Sequence, residues 1–482
     1  MTTPPGASAP TTSGASASTP AGSGTGPRPD GGTPGPDGSG EGLRRSIGPR
    51  LLLLFILGDV LGAGIYALVG TVAAEVGGAV WVPLLVALGM ALLTALSYAE
   101  LVTRFPRAGG AAVFVQHAFG RPVLSFLVGF AMLSAGVVSA AALSLAFAGD
   151  YLAQIVDLPR VPVALAFLAV VMALNLRGIR DSLRANVVMT LVEVGGLVLV
   201  VVLAATVLGS GGGDLSQAVQ LEPGWAGASA VLAASTVAFY SFVGFEVSAN
   251  IAEEARDPRR DYPRALITAL LVAGVLYVLV GLAVSVATPG GAGSSDAPLL
   301  DVVAASPVGI PAQAFAVIAL VAVANGALLT MIMASRLTYG MARERLLPSV
   351  LGRTAFVDRG EGRGTPAVAV VVTTVVAGLL VATGSLATLA ATVVMLLLVV
   401  FAAVNVAVLV LRRRPEEGEQ DHFRTWWPVP VLALATCVLL AAQQPWDVWG
   451  RAGLMLAVGL ALYALTRLAR RGRTEEDAER AR

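Results

Sequence analysis

The apolar residues of this chain are gathered into blocks of roughly 17–25, the length a helix needs to cross about 30 Å of hydrocarbon. No other feature restricts the fold so far. In lipid a backbone must satisfy its own N–H and C=O groups, which excludes open strand edges. A membrane barrel would alternate apolar with polar residues, and these blocks do not alternate. Only 13% of the residues are charged, where a soluble protein carries about a quarter. The expected class is an all-α polytopic membrane protein.

About twelve blocks qualify. The first six are Ile47–Ala74, Val80–Thr103, Val123–Tyr151, Val161–Leu176, Ala185–Leu208 and Ala228–Ile251. Six more follow at Ala265–Thr288, Ile310–Met341, Ala367–Thr383, Leu386–Leu411, Val429–Ala442 and Val448–Thr466. Residues 1–45 are rich in Gly, Pro, Ser and Thr and are expected to stay disordered, because they cannot bury enough surface to offset ordering entropy. They lack the basic-then-apolar pattern of a cleavable signal, so the first span is expected to remain in the protein.

Arginine placement gives the orientation. The chain has no lysine, and with the N-terminus inside only Arg160 and Arg451 of its 32 arginines fall in outside loops. Both termini are expected to be cytoplasmic. No extramembrane stretch is long enough for a catalytic domain. With Cys437 as the single cysteine and His117 and His422 as the only histidines, neither a metal centre nor a membrane-bound enzyme is expected. A phosphate-binding glycine loop with its lysine is missing too, so ATP drive is not encoded here. A channel would show a smaller repeated unit. The expectation is no cofactor, no nucleic acid and no obligate protein partner.

Two spans depart from the monotony of Leu, Val and Ala. The first carries Gly58-Asp59-Val60-Leu61-Gly62-Ala63-Gly64-Ile65, with a carboxylate and glycines at mid-membrane depth. The sixth carries Ser235-Thr236-Val237-Ala238-Phe239-Tyr240-Ser241-Phe242-Val243-Gly244-Phe245-Glu246. Glycine costs about 1 kcal/mol relative to alanine inside a helix. Close helix packing would account for Gly62-Ala63-Gly64 taken alone. Their placement five spans apart suits two inverted five-helix repeats, in which paired interruptions mark a transporter's binding site. Free N–H groups at a half-helix N-terminus would receive a carboxylate, and free carbonyls an ammonium.

These residues resemble a known family. Gly62-Ala63-Gly64-Ile65-Tyr66 is similar to the first-span signature of the amino acid–polyamine–organocation (APC) permeases. Tyr98-Ala99-Glu100-Leu101, Phe105-Pro106-Arg107-Ala108-Gly109-Gly110 and Ala118-Phe119-Gly120 resemble that family's first cytoplasmic loop. Gly244-Phe245-Glu246 through Ala252-Glu253-Glu254-Ala255-Arg256-Asp257-Pro258 to Tyr262-Pro263 is similar to the cationic-amino-acid-transporter branch. Ser335-Arg336-Leu337, Met341-Ala342-Arg343 and Leu347-Pro348 close span eight in the family's manner.

The resemblance implies the LeuT-type 5+5 inverted repeat with two additional C-terminal helices. The transport core would cover 46–411, its repeats about 46–208 and 228–411, followed by a cytoplasmic loop at 412–428, two helices within 429–466 and a cytoplasmic tail at 467–482. It further implies a secondary active transporter of amino acids working by alternating access, proton-coupled or exchanging, without sodium. Transport of polyamines or other organic amines, and a transport-dead amino acid sensor, are the alternatives. The family's substrate groups map onto the span-one backbone at Gly62, Ala63, Gly64 and Ile65 for the carboxylate. The span-six backbone at Phe239, Tyr240, Ser241 and Gly244 would take the amino group, with Phe242 as an aromatic lid.

A carboxylate at membrane depth costs roughly 2.5 kcal/mol or more, so each needs a reason. Glu193 shares a helical face with Asn186 and Thr190, a stripe expected to face the bundle interior. Many proton-coupled relatives resemble one another in having a lysine near this place; this chain has glutamate, which makes Glu193 a candidate proton acceptor. Glu246 forms a second stripe with Asn250 and Glu253, for proton uptake or gating. Asp59 is as readily a helix anchor as a binding group. Asn325 is a substrate contact or interhelical glue. The segment from Glu253 to Arg264 is expected to help latch the inward gate, and Arg412-Arg413-Arg414 to be a topology anchor near anionic lipid.

Overall fold

The apolar blocks become helices almost where the sequence places them. The computed structural model describes residues 47–480 apart from 63, 107–108, 178–181, 222–223, 289–290, 296, 358–363 and 415–421. The expected tail at 1–45 and the substrate-binding expectation at Ala63 therefore lie outside the described residues.

The first span is the pair α1 (Pro49–Leu61) and α2 (Gly64–Val76), bent by 40° at their junction. Next come α3 (Trp81–Arg104), the short α4 (Gly110–Phe119), α5 (Pro122–Phe147) extended by α6 (Asp150–Ala153), α7 (Arg160–Arg177) and α8 (Ser182–Gly209). The second half runs through α9 (Gly224–Phe239), α10 (Pro258–Ala287), the short α11 (Pro298–Ala305), α12 (Ala312–Arg343), α13 (Ala367–Thr383) and α14 (Leu386–Arg412). Finally come α15 (Val429–Ala442) and α16 (Trp446–Arg480). A two-stranded antiparallel hairpin, β1 (Ala355–Val357) with β2 (Gly364–Thr365), joins α12 to α13.

Among the described residues nine helices are long and apolar enough to cross a membrane, and the bent pair makes a tenth. The two remaining expected spans are the 17-residue α13 and the 14-residue α15, both apolar but shorter. This is a multi-pass membrane protein. The stretch expected as a tail from 467 continues α16 as helix to Arg480.

The packing has the symmetry that the interrupted spans suggested. α3 packs on α10, α5 on α12 and α7 on α13, so the second, third and fourth spans each meet the span five further on. The broken first span meets the sixth through α2 and α9. This is the LeuT-type arrangement of two five-helix repeats, with α15 laid on α14 and α3 and α16 on α14 and α5. Because lipid is as apolar as leucine, such helices associate through close fit and interhelical hydrogen bonds rather than through hydrophobic burial.

Candidate functional site

The first span breaks because its residues cannot hold a helix through Gly62. That residue has φ −3° and ψ −173°, outside the helical region, and α2 restarts only at Gly64. The sixth span breaks in steps. α9 ends at Phe239, a single 3-10 turn covers Tyr240–Phe242, Val243 is extended, and Gly244 has φ +129°. Further 3-10 turns at Val247–Asn250 and Ala252–Glu254 carry the chain to α10.

The two breaks are pressed together. A Cβ on Gly64 would lie 2.6 Å from the Ser241 Cα, and one on Gly244 would lie 2.5 Å from the Asp59 carbonyl oxygen. Both distances are too short for any side chain. Gly244 also needs the left-handed backbone that glycine adopts without penalty. The phenol of Tyr277 on α10 then fixes the end of α1, its O–H shared between the Val60 and Leu61 carbonyls at 2.9 Å each.

Between the breaks lies a cavity of about 60 Å³. By the measure in which one water needs about 10–15 Å³, it takes a handful of atoms, the size of a small amino acid. Its wall includes Gly62, Gly64, Tyr240, Ser241 and Gly244 from the expected substrate set, and Asp59 and Glu246 from the expected ionisable set. Gly64, the first residue of α2, lines it, and first-turn N–H groups have no acceptor inside their own helix. From the sixth span the 3-10 turn at Tyr240–Ser241 and the extended Val243 line it. The Glu246 Oε2 accepts from the Gly244 N–H at 3.0 Å, tying the carboxylate across the break. One carboxylate oxygen of Asp59 is buried without a partner among the described residues.

Other expected residues lie elsewhere. Ile65 and Phe239 are buried but outside the cavity wall, and Phe239 packs edge-on to Phe401 with centroids 6.1 Å apart. Phe242, expected as a lid, instead meets Tyr277 edge-on at 5.1 Å. The cause is the 3-10 turn, whose three residues per turn send Tyr240, Ser241 and Phe242 in three directions. Asn325 is also outside the wall: its amide donates to Glu193 Oε1 at 3.1 Å and to Asn186 Oδ1 at 3.2 Å, while the next residue, Gly326, lines the cavity. The stripe Glu246–Asn250–Glu253 does not form, because that segment is 3-10 and α-helical spacing does not apply.

Glu193 stands in a second polar cluster beside the breaks. Asn186, Thr190 and Glu193 are all fully buried, so their face does turn inward. Thr190 presses on Gly58 of α1, and the Tyr66 hydroxyl of α2 donates to the Glu193 carbonyl at 2.9 Å. Oε1 of Glu193 has Asn325, and Oε2 is buried with no partner among the described residues.

Several wall residues carry no sequence signal of their own. Met132, Gly136 and Ser139 of α5, Thr330 and Met333 of α12, and Val393 and Leu397 of α14 complete the cavity. Ser139 Oγ and the Tyr240 hydroxyl share a hydrogen bond of 3.1 Å. Nothing in the spacing of these residues along their spans sets them apart before the helices are placed.

Arg412 corrects another expectation. Rather than only meeting lipid, it binds Glu100 through Nε to Oε1 at 2.8 Å and Nη2 to Oε2 at 2.5 Å. Thr425 closes the set, its N–H on Glu100 Oε2 at 2.9 Å and its carbonyl on Arg412 Nη2 at 2.8 Å. The segment expected to latch a gate pairs with the entry to α1: Ile47 donates to the Glu254 carbonyl and Arg256 to the Ile47 carbonyl, both at 3.0 Å.

Residues 47–450 match the amino acid permease family. The chain is 27% identical to the branched-chain amino acid permease BcaP of Bacillus subtilis over 89% of its own length and 94% of the relative's. It is 30% identical to an uncharacterized transporter of Mycobacterium tuberculosis over 90% of its length and 94% of the relative's. With cationic amino acid transporter 9, chloroplastic, of Arabidopsis thaliana it shares 31% identity over 65% of its length, spanning only 58% of that protein.

Proposed function

Since this chain belongs to the amino acid permease family, we propose that it is a secondary active transporter carrying amino acids across a cytoplasmic membrane by alternating access. One observation carries the reading: two interrupted spans meet around a small cavity, with the first residue of α2 and the non-helical break from Tyr240 to Gly244 both in its wall. A substrate carboxylate binds at Gly62–Gly64, and its ammonium binds at the Tyr240–Ser241 turn near Asp59 and Glu246. The rest of the wall is mostly apolar, with Met132, Leu143, Met333, Val393 and Leu397 beside the hydroxyls of Ser139 and Thr330, which suits a small aliphatic side chain.

The Glu193 carboxyl is the proton-binding group. A lone buried carboxylate is costly, and taking up a proton removes the charge. Its backbone carbonyl holds Tyr66 of α2, so the proton site and the broken span touch directly. Transport is proton-coupled and sodium-independent, with both termini cytoplasmic. A second reading, carriage of cationic amines, has its own support in two carboxylates, Asp59 and Glu246, on one cavity wall.

The test is uptake into vesicles holding the purified chain, with labelled alanine, leucine, arginine and putrescine offered separately. Saturable entry of alanine or leucine without sodium, faster with an inwardly directed proton gradient, is expected. Selective entry of arginine or putrescine would favour the second reading, and no flux of any of the four would overturn both.

A further inference from the structure

A second concave surface, sharing no residue with the cavity between the breaks, lies where α10 leaves the bilayer. It encloses about 720 Å³ and is walled by Arg259, Arg260, Arg264, Ile267 and Thr268 of α10 and by Phe423 from the loop before α15. Arg260 and Arg264 are four residues apart, so they stack on one face of the helix, and both are exposed. Neither forms an ion pair with a described carboxylate. Among the described residues the one acidic residue of the wall, Asp257, has Oδ1 turned to the Arg260 backbone N–H at 3.3 Å as the cap of α10.

The same helical face continues into the membrane. Thr268, Leu271 and Val275 follow Arg264 at helical spacing, and Leu271 and Val275 are 44% and 56% exposed. In a membrane protein that face touches acyl chains. Beside Phe423 the loop carries Trp426 and Trp427, 71% and 70% exposed, and exposed tryptophans settle at the level of lipid headgroups. Guanidinium groups thus stand at headgroup depth above an apolar track, with an aromatic wall opposite. A guanidinium matches a phosphate with two parallel hydrogen bonds.

We propose that this groove binds an anionic phospholipid, with its phosphate on Arg260 and Arg264 and an acyl chain along Leu271 and Val275. Charge and shape agree on that occupant. A soluble anion would use the arginines but leave the apolar track idle. The site joins the gate segment directly, because α10 begins three residues after the Ile47–Ala255 pairing. Lipid held there steadies the start of α10 and with it the return of the sixth span.

The full chain in detergent, titrated with palmitoyl-oleoyl phosphatidylglycerol or the matching phosphatidylcholine and read by native mass spectrometry, tests this. The wild type should retain phosphatidylglycerol preferentially. Each arginine is worth about fivefold, from roughly 1 kcal/mol per basic residue near an anionic surface. The double variant R260Q/R264Q should lose the preference while unfolding at the wild-type temperature. R50Q/R353Q, which removes the same charge elsewhere, should keep it. Equal retention of both lipids by the wild type, or an undiminished preference in R260Q/R264Q, would overturn the proposal. Displacement of the lipid by millimolar glycerol phosphate would also overturn it, in favour of a soluble-anion site.

Discussion

Glu100 and Glu193 are both fully buried, yet the protein treats them in opposite ways. Around Glu100 both oxygens are met: Arg412 binds each of them, and the Thr425 N–H adds a third donor. Around Glu193 one oxygen has the Asn325 amide and the other has no partner among the described residues. A buried charge with a full set of partners is a fastener, because any change of its state breaks several bonds at once. A buried carboxyl left half-partnered can change its protonation at small structural cost. The fastener ties α3, α14 and the loop before α15. The half-partnered group touches the elements around the cavity.

The largest effect that separates them is on folding. Glu100→Ala strands the Arg412 guanidinium, 11% exposed, and should lower stability by about 3–5 kcal/mol, read as a loss of thermally resistant protein in detergent. Replacing both partners, as Glu100→Met with Arg412→Leu, should recover most of that loss. If the double variant is no more stable than the single, the pair is not a fastener in this sense.

Next in size is a functional effect without a folding one. Glu193→Gln keeps the shape and the Asn325 contact, so unfolding should stay at the wild-type temperature. Proton-gradient-driven uptake should fall at least tenfold, and equilibrium exchange should persist with a flat pH profile. A wild-type pH profile in this variant would remove Glu193 from coupling and make it a second fastener.

The smallest expected change sharpens the contrast at the site itself. Tyr277→Phe removes one hydroxyl from the Val60 and Leu61 carbonyls, an interaction worth about 1 kcal/mol. Substrate affinity measured by calorimetry should shift a few-fold while stability changes little. An unaltered affinity would mean that the end of α1 contributes nothing to the binding geometry.

What could be read from the residues follows the range of the interactions involved. The spans were legible because each apolar block meets lipid by itself. The breaks were legible because Gly62, Gly64 and Gly244 are local departures from a helical run. The inward face of Asn186, Thr190 and Glu193 followed from spacing along one regular helix. Phe242 and the stripe from Glu246 were misplaced because 3-10 turns replace α-helix there, and that switch has no strong local signature. Asn325 stays open between substrate contact and interhelical glue in the sequence, because nothing in span eight says which neighbour it meets. Its bonds to Asn186 and Glu193 make it glue. The partners Glu100 and Arg412 lie 312 residues apart, and only the closed bundle brings them together.

The pairing of Ile47 with the strand of residues around Ala255 has a consequence of its own. It is made of peptide groups alone, so its strength is indifferent to which side chains occupy those positions. Ordinary substitutions there would leave this tether intact, whereas an imino acid at position 256 would delete one of its two donors outright. Control over how readily that end of the protein parts therefore belongs to backbone chemistry, and proline scanning is the instrument able to reach it.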